Sequence, residues 1–143
     1  MNAQTNAGNV GFNSIMKYAN ANLVCVDEPE ARLALGEREW HPEDMVYRLP
    51  GEQNIITLGR HGCVCADKKM GCNIPAFAHH GIDTIGAGDA FLAVTAPLVA
   101  AGLELEAAAF VGNVAGAIKT TIVGHQRHVT RAEIVQNVKA LLA

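Results

Sequence analysis

The segment Asp83–Phe91 combines residue types that suit phosphoryl transfer, since it reads Asp-Thr-Ile-Gly-Ala-Gly-Asp-Ala-Phe. Gly86 and Gly88 lack a Cβ atom, so the backbone can adopt positive φ and direct several N–H groups onto one anionic oxygen. The apolar run that follows predicts a helix, whose N-terminal end favours negative charge. Asp89 could take a proton from an attacking hydroxyl while the amides hold the phosphate. The pattern therefore predicts a general base, Asp89, beside an anion hole formed by the amides of Gly86, Ala87 and Gly88.

The same residues also have ordinary structural explanations. Glycines before a helix are common in turns, and an Asp in the first helical turn often serves only as a cap or a partner of the helix dipole. The chemical interpretation of Asp89 therefore depends on the elements around it.

Those elements follow from hydrophobic patterning and from helix start and stop signals. A polar entry leads into a short helix, indicated by apolar residues at helical spacing: Phe12, Ile15, Met16 and Ala19. Apolar runs predict strands at Leu23–Val26, Asn54–Leu58, Cys63–Ala66 and Asn73–Ala78. Helices are predicted at Glu28–Leu35, within Trp40–Leu49 from near Pro42, and at Ala87–Ala101, Leu105–Ile122 and Thr130–Leu142. This order is consistent with an α/β layer structure.

The full segment, Asp-Thr-x-Gly-Ala-Gly-Asp-x-Phe, closely resembles the signature of the ribokinase family of carbohydrate kinases, also called the phosphofructokinase B family. Three further stretches resemble that family in order along the chain. They are the strand and helix start Leu23–Ala31, the hairpin sequence Ile55–Gly62, and the helix and loop that contain Gly112–Ala117 and Gly124. Since four ordered matches span nearly the whole chain, coincidence is a poor explanation.

The resemblance implies a role for each matched residue. Asp89 would be the catalytic base beside the anion hole, and ATP would be contacted by residues of the hairpin, helix and loop: Thr57, Gly59, Gly62, Asn113 and Gly124. Gly59 and Gly62 also suit any tight turn. Gly124 could simply end the preceding helix.

Three acidic residues are the metal candidates that the resemblance implies. Glu30 matches the glutamate of the family's Asn-x-x-Glu motif, which helps to organise magnesium and phosphate through bound water. Asp27 stands where the family has Asn, and its charge would either strengthen magnesium attraction or weaken the phosphate contact. Both residues also suit the first turn of a helix. Asp83 has two open roles: turn capping, or a contribution to the monovalent-cation (K⁺) site found in several family members.

The implied fold is α/β, the C-terminal part of a ribokinase-like, Rossmann-type three-layer α/β/α architecture. Family members are much longer, and their N-terminal half supplies most of the sheet, the β lid and the sugar site. We therefore expect residues 1–143 to form a single partial domain with an open sheet edge. Within it, residues 1–21 form the polar entry and short helix, residues 22–82 the strands and nucleotide hairpin, and residues 83–143 the anion-hole turn and helices.

Composition limits the partners of the chain. Its 143 residues, 50% of them hydrophobic, are typical of one globular domain. The 11 basic and 14 acidic side chains are dispersed and give a net charge of −3, so nothing indicates binding to nucleic acid or an anionic membrane. No secretory signal is visible, and the longest apolar run, Ala90–Ala101, is too short to span a bilayer. These features predict a cytoplasmic protein.

The cysteines are expected to be reduced in such a protein, although four are present: Cys25, Cys63, Cys65 and Cys72. A zinc site that combines the last three with His79 and His80 fits no usual ligand spacing, so ordinary packing is preferred.

The sequence thus predicts an ATP-dependent phosphotransferase that acts on the hydroxyl of a sugar or sugar phosphate, with magnesium and ATP as cofactors. Because the sugar-binding half is absent, we expect little activity from the isolated chain, which would form a homo-oligomer or pair with that half. The alternative is a non-catalytic nucleotide-binding or interaction module that pairs with another chain through its sheet edge. An α/β hydrolase is less favoured because the chain has no Gly-x-Ser-x-Gly elbow.

Overall fold

The computed structural model describes residues 14–18, 20–77, 82–124 and 126–143 of the chain. Most of the predicted polar entry lies outside these residues, as do Phe12 and Ala19 of the predicted first helix. His79 and His80 of the zinc hypothesis also lie outside them.

The chain divides into two compact units. The first consists of the described residues of Met1–Gly59 and Cys63–Asn73, and the second of those of Arg60–Gly62 and Ile74–Ala143. The division into segments 1–21, 22–82 and 83–143 of a single domain stays a prediction.

Within the described residues, a sheet of four strands forms most of the first unit, and the strands lie side by side in the order in which they follow along the chain. Its strands are β1 (Leu23–Asp27), β2 (Gln53–Thr57), β3 (Cys63–Ala66) and β4 (Gly71–Ile74). β1 and β2 are parallel, whereas β2 and β3 are antiparallel. The unit also contains α1 (Glu28–Leu35), α2 (Pro42–Met45) and 3₁₀ turns at Ile15–Lys17 and Val46–Arg48. A third 3₁₀ turn, Gly59–His61, connects β2 to β3.

The limits of α1 follow from its capping residues, and the predicted helix is confirmed. Asp27 is the N-cap: its Oδ1 accepts a hydrogen bond from the N–H of Glu30 at 2.7 Å. In return, Glu30 Oε2 accepts a hydrogen bond from the N–H of Asp27 at 3.1 Å, which completes a capping box. Pro29 is tolerated in the first turn because a backbone N–H at that position would have no helical acceptor, so its absence from proline costs no hydrogen bond. Gly36 ends the helix with a left-handed φ of 68°.

The apolar core of the first unit joins the sheet to its helices. Alternate residues of a strand share one face, and this face of the strands contributes Val24, Val26, Ile56, Val64 and Ala66. Ala31 of α1 and Met45 of α2 pack against them, and both are fully buried. Burial of this face is what holds α1 and α2 on the sheet.

Three α-helices form most of the second unit in the part of the chain that the structure describes: α3 (Ala87–Ala100), α4 (Leu105–Thr120) and α5 (Arg131–Leu142). α3 and α4 approach closely because α4 has glycine at their contact. A Cβ atom on Gly112 would overlap the Oγ1 atom of Thr95, and one on Gly116 would lie 3.3 Å from the carbonyl oxygen of Ala87. Both glycines therefore have a packing role.

Some predicted elements differ from the observed ones in their limits. The strand predicted at Asn73–Ala78 is instead Gly71–Ile74, and Pro75 has no N–H with which to continue a ladder. The helix predicted within Trp40–Leu49 does begin at Pro42, but it ends at Met45 and continues as the 3₁₀ turn. The first predicted helix is a 3₁₀ turn in the part that the structure describes.

The expectation that all four cysteines are reduced is wrong for one pair. Cys65 of β3 and Cys72 of β4 form a disulfide, with Cα atoms 5.2 Å apart on neighbouring strands. Cys25 and Cys63 are free and buried, and burial raises the pKa of each thiol to about 12. Within the described ranges, no group of three or more His, Cys, Asp or Glu side chains is arranged to hold a metal ion.

Candidate active site

The glycine turn leads directly into α3. Gly86 is the N-cap, with a left-handed φ of 78° that favours glycine. The N–H of Ala87 donates to the carbonyl oxygen of Thr84 at 3.2 Å and closes the turn. Among the residues that the structure describes, the N–H groups of Gly86, Gly88 and Asp89 have no acceptor. Donors without acceptors at the positive end of a 14-residue helix are suited to an anion.

Asp89 is the third residue of α3, and its side chain is exposed. No donor within the described part of the chain is hydrogen-bonded to its carboxylate. The group is therefore free to accept a proton from a bound alcohol, and it can also interact with the helix dipole. The position of Asp89 is therefore compatible with both roles that the sequence allowed, the general base and the partner of the helix dipole.

Asp83 connects the turn to the loop that follows α4. Its Oδ1 accepts a hydrogen bond from the N–H of Ile85 at 2.9 Å, and its Oδ2 accepts one from the N–H of Gly124 at 2.8 Å. The first bond is an Asx-type turn. These bonds are those of a turn cap, whereas the role of Asp83 in cation binding stays a prediction.

Backbone hydrogen bonds hold this segment against the C-terminal end of α4. The N–H groups of Ile82 and Asp83 both donate to the carbonyl oxygen of Thr120, at 2.9 and 3.0 Å. The side chains of Ile82 and Ile85 are exposed. Hydrogen bonds rather than apolar burial of these side chains therefore position the segment before the turn.

A buried lysine that the sequence did not single out lies beside the turn. Lys119 is only 8% exposed. Its Nζ donates to the carbonyl oxygen of Gly124 at 2.8 Å and to that of Ile122 at 3.4 Å. Its Cε would lie 3.4 Å from a Cβ atom on Gly86. The only sequence signal was one positive charge in the last turn of a helix rich in small and apolar residues.

Two predicted nucleotide-contact residues have structural roles in the second unit. Asn113 donates from its side-chain amide to the carbonyl oxygen of Pro75 at 2.7 Å. Gly62 has φ of 93°, and a Cβ atom there would overlap the carbonyl oxygen of Ile74. Gly124, with φ of 55°, has open space around it. Nucleotide contact by all three stays a prediction.

In the first unit, Asp27 and Thr57 are the last residues of β1 and β2 and lie opposite each other. Glu30 is bonded to Asp27 through the capping box, and Thr57 donates from Oγ1 to the carbonyl oxygen of Val26 at 3.4 Å. Gly59 follows, with φ of 56° and nothing close to it. The carboxyl ends of parallel strands are where open α/β sheets bind ligands, and carboxylate oxygens are ligands that Mg²⁺ accepts. Asp27 and Glu30 therefore fit a magnesium–phosphate group chemically.

A cavity of about 440 Å³ lies between α4 and α5 in the second unit. Phe77, Val114, Ile118 and Leu141 line it, and the ion pair between Arg127 and Glu133, at 2.7 Å, is also in its wall. The predicted site residues are not part of this lining, so the cavity is separate from the candidate chemistry.

Comparison with known proteins shows to which family the chain belongs. A profile of the pfkB family of carbohydrate kinases matches residues 10–131. The chain belongs to this family. Among curated proteins, the bifunctional protein HldE of a Nitratiruptor species is 32% identical over 119 residues, and that of Campylobacter curvus is 30% identical over 119 residues.

Solved structures confirm the α/β, ribokinase-like fold of this pfkB chain. Ribokinase from Thermotoga maritima matches 82% of the chain with a TM-score of 0.73 and 26% identity. A nucleoside kinase from Burkholderia thailandensis, in complex with inosine, matches 84% with a TM-score of 0.70 and 28% identity. Phosphofructokinase-2 from Escherichia coli, in complex with potassium, matches 90% with a TM-score of 0.78, and its 18% identity supports the fold alone.

The chain covers only part of each of these proteins. It spans 26% and 25% of the two HldE proteins, and 78% of its own length is matched in each case. It spans 42% of the ribokinase, 40% of the nucleoside kinase and 43% of phosphofructokinase-2. No helix within the described residues is both long and apolar enough to cross a membrane.

Proposed function

We propose that this chain supplies the nucleotide-binding and phosphoryl-transfer part of an ATP-dependent kinase. The observation that supports this most strongly is the glycine turn, where the N–H groups of Gly86, Gly88 and Asp89 lack acceptors beside the exposed Asp89 carboxylate. The turn lies within the residues that the profile of the pfkB family of carbohydrate kinases matches. The location expected for such an enzyme is the cytoplasm.

In the proposed reaction, Asp89 takes the proton of the acceptor hydroxyl as the oxygen attacks the γ-phosphate in line. The amides of the turn hold the equatorial oxygens of the transferring group, and the loss of such a donor typically costs about 10²–10³ in rate. The amide of Ala87 belongs to the predicted set, although its bond to Thr84 makes it the weakest donor of the turn.

The remaining site residues would bind the nucleotide. Thr57, Gly59 and Gly62 would contact ATP from the hairpin, and Asn113 and Gly124 from α4 and the following loop. Magnesium bound with ATP would neutralise phosphate charge, and the carboxylates of the first unit that would hold it through water are Asp27 and Glu30.

The acceptor is proposed to be a hydroxyl of a sugar or sugar phosphate. The structural relatives include a ribokinase and a nucleoside kinase, and the curated relatives are HldE proteins. Because the chain spans less than half of the structural relatives, we expect the isolated chain to have little activity of its own.

Formation of ADP tests this function. The chain, joined to the N-terminal portion of a pfkB relative, would be assayed with ATP, magnesium and a panel of sugars and sugar phosphates. We expect magnesium-dependent ADP formation, and we expect Asp89→Asn to reduce it by about 10²–10⁴. Glu106→Gln is the matched control, since Glu106 is also an exposed carboxylate in the first turn of a helix. Full activity of the Asp89→Asn variant would remove Asp89 from the mechanism.

A second candidate is a non-catalytic module that binds nucleotide and pairs with another chain. It is favoured by the position of β1, which is an edge strand of the sheet within the described residues. An edge strand can pair with a second chain. Nucleotide titration by calorimetry, combined with light scattering, distinguishes the two candidates. Tight ATP binding by an oligomer that never turns over a sugar would favour the module.

A further inference from the structure

The surroundings of the glycine turn contain negative charge that opposes the binding of an anion. Asp83 lies three residues before Gly86 and is bonded to the loop after α4. The C-terminal end of α4 is also adjacent, because the carbonyl oxygen of Thr120 accepts hydrogen bonds from the N–H groups of Ile82 and Asp83. Carbonyl groups at this end of a helix carry partial negative charge. A phosphate at the turn would be repelled by both contributions unless a positive charge offsets them.

Lys119 is the positive group that lies in this position. Its side chain passes directly beside Gly86, and its ammonium is bonded to the carbonyl oxygens of Gly124 and Ile122 at 2.8 and 3.4 Å. The same Gly124 donates its N–H to Asp83. The Asp83 carboxylate therefore binds the N–H of Gly124, and the Lys119 ammonium binds its carbonyl oxygen. These two bonds fix both charged groups relative to the turn.

Backbone carbonyl oxygens are the ligands with which proteins commonly bind potassium. In this chain, however, an ammonium with three donors already occupies the two carbonyls of the loop next to Asp83. The residues around Gly124 therefore do not fit a monovalent cation, the binding of which was one of the two roles left open for Asp83.

We propose that Lys119 is an internal cation that replaces potassium at this loop and makes the site independent of added monovalent ions. Lys119 is a positioning residue: it fixes the loop at Ile122–Gly124 and places positive charge beside the turn. The proposal deepens the proposed kinase function, on which its catalytic consequence rests, whereas its effect on the loop does not depend on turnover.

Thermal unfolding without nucleotide or sugar is the first test. The wild-type chain should have the same Tm in potassium chloride and in choline chloride at equal ionic strength. Lys119→Met removes the charge and leaves two carbonyl groups without their donor, so Tm should fall by about 5 °C in choline chloride. Potassium, which fits the vacated carbonyl ligands, should restore at least half of that loss, whereas lithium should not.

Lys139→Met is the matched control, because Lys139 is an exposed lysine in the last turn of α5. Its Tm should be close to that of the wild type in both salts. A Lys119→Met variant that is destabilised without any specific recovery in potassium would show that the side chain acts by packing alone and would overturn the proposal. If the Lys119→Met variant does not fold, the test rests on the Tm of the wild type in the two salts. A higher Tm of the wild type in potassium chloride than in choline chloride would also overturn the proposal.

The catalytic consequence is measured in the chain joined to the N-terminal portion of a relative. ADP formation by the wild type should not differ between the two salts. Lys119→Met should lose about tenfold or more in choline chloride and regain activity in potassium chloride. If neither protein forms ADP while the Tm results hold, the kinase assignment fails and the internal cation stands. If the wild type is active only in potassium, the internal cation fails and the kinase assignment stands.

Discussion

Replacing Gly112 by Ala tests whether the close approach of α3 and α4 depends on the missing side chain. The added Cβ atom would overlap Oγ1 of Thr95 and would lie 3.1 Å from the carbonyl oxygen of Phe91 and 3.3 Å from its ring atom Cδ2. Thr95 and Phe91 are 0% and 3% exposed, so neither side chain can move into solvent. The helices would have to separate, or Thr95 would have to leave its position.

The expected loss of stability follows from two opposing effects. Overpacking of a core typically costs about 1–3 kcal/mol, whereas Ala in place of Gly stabilises a helix interior by about 0.5–1 kcal/mol. Since one of the close atoms belongs to the backbone of α3, we expect a net loss of about 2 kcal/mol. For a chain of 143 residues, such a loss lowers Tm by about 4–8 °C.

Thermal unfolding followed by circular dichroism measures this change. Gly88→Ala is the control, because nothing lies within 4 Å of a Cβ atom there, and its Tm should not fall. Thr95→Ala removes the atom that the new Cβ would meet, so the double variant should lose at least about 1 kcal/mol less than the sum of the single losses. A Gly112→Ala variant as stable as the wild type, or strictly additive losses, would refute the packing argument.

Two further predictions concern the buried thiols and the hairpin. Burial raises the pKa of the Cys25 and Cys63 thiols from 9.0 to about 12, so their contribution to stability is complete below pH 9 and is lost as the pH rises towards 12. Tm should fall over that interval, and a variant with Ala at both positions should show a smaller fall; an equal fall would contradict this. Gly62→Ala should lower Tm more than Gly59→Ala, since only a Cβ at position 62 would overlap Ile74, and equal Tm values would count against this role.

Local signals in the sequence were sufficient for most helices. Pro29 and Gly36 mark the ends of α1, and Thr130 with Glu133 forms the predicted capping box of α5. Each of these boundaries is set by hydrogen bonds within a few residues, so it can be read without knowledge of the tertiary structure.

Features that depend on pairing between distant residues were not predictable in this way. The limits of β4 are set by its neighbour in the sheet and by Pro75, and the disulfide between Cys65 and Cys72 depends on how β3 and β4 are aligned. A run of apolar residues indicates a strand but not its partner. The composition of the chain likewise gave no indication that these two sulfur atoms are adjacent.

The candidate site likewise contains features that could be predicted from one short segment and features that could not. The glycine turn and Asp89 were predicted because their chemistry is contained in one short segment. The contribution of Lys119 was not, because its partners are the carbonyl groups of Ile122 and Gly124, and a backbone group has no signature in the sequence. A lysine in the last turn of a helix ordinarily indicates only a favourable interaction with the helix dipole.

The amides of the glycine turn give the most direct test of the central claim, which is that they hold the transferring phosphate. Proton–nitrogen correlation spectra of the labelled chain would be recorded during a titration with magnesium–ATP. We predict that the resonances of Gly88 and Asp89 shift and saturate with nucleotide, while that of Gly102, in the turn after α3, stays in place. Saturable nucleotide binding that leaves Gly88 and Asp89 unshifted would contradict the account.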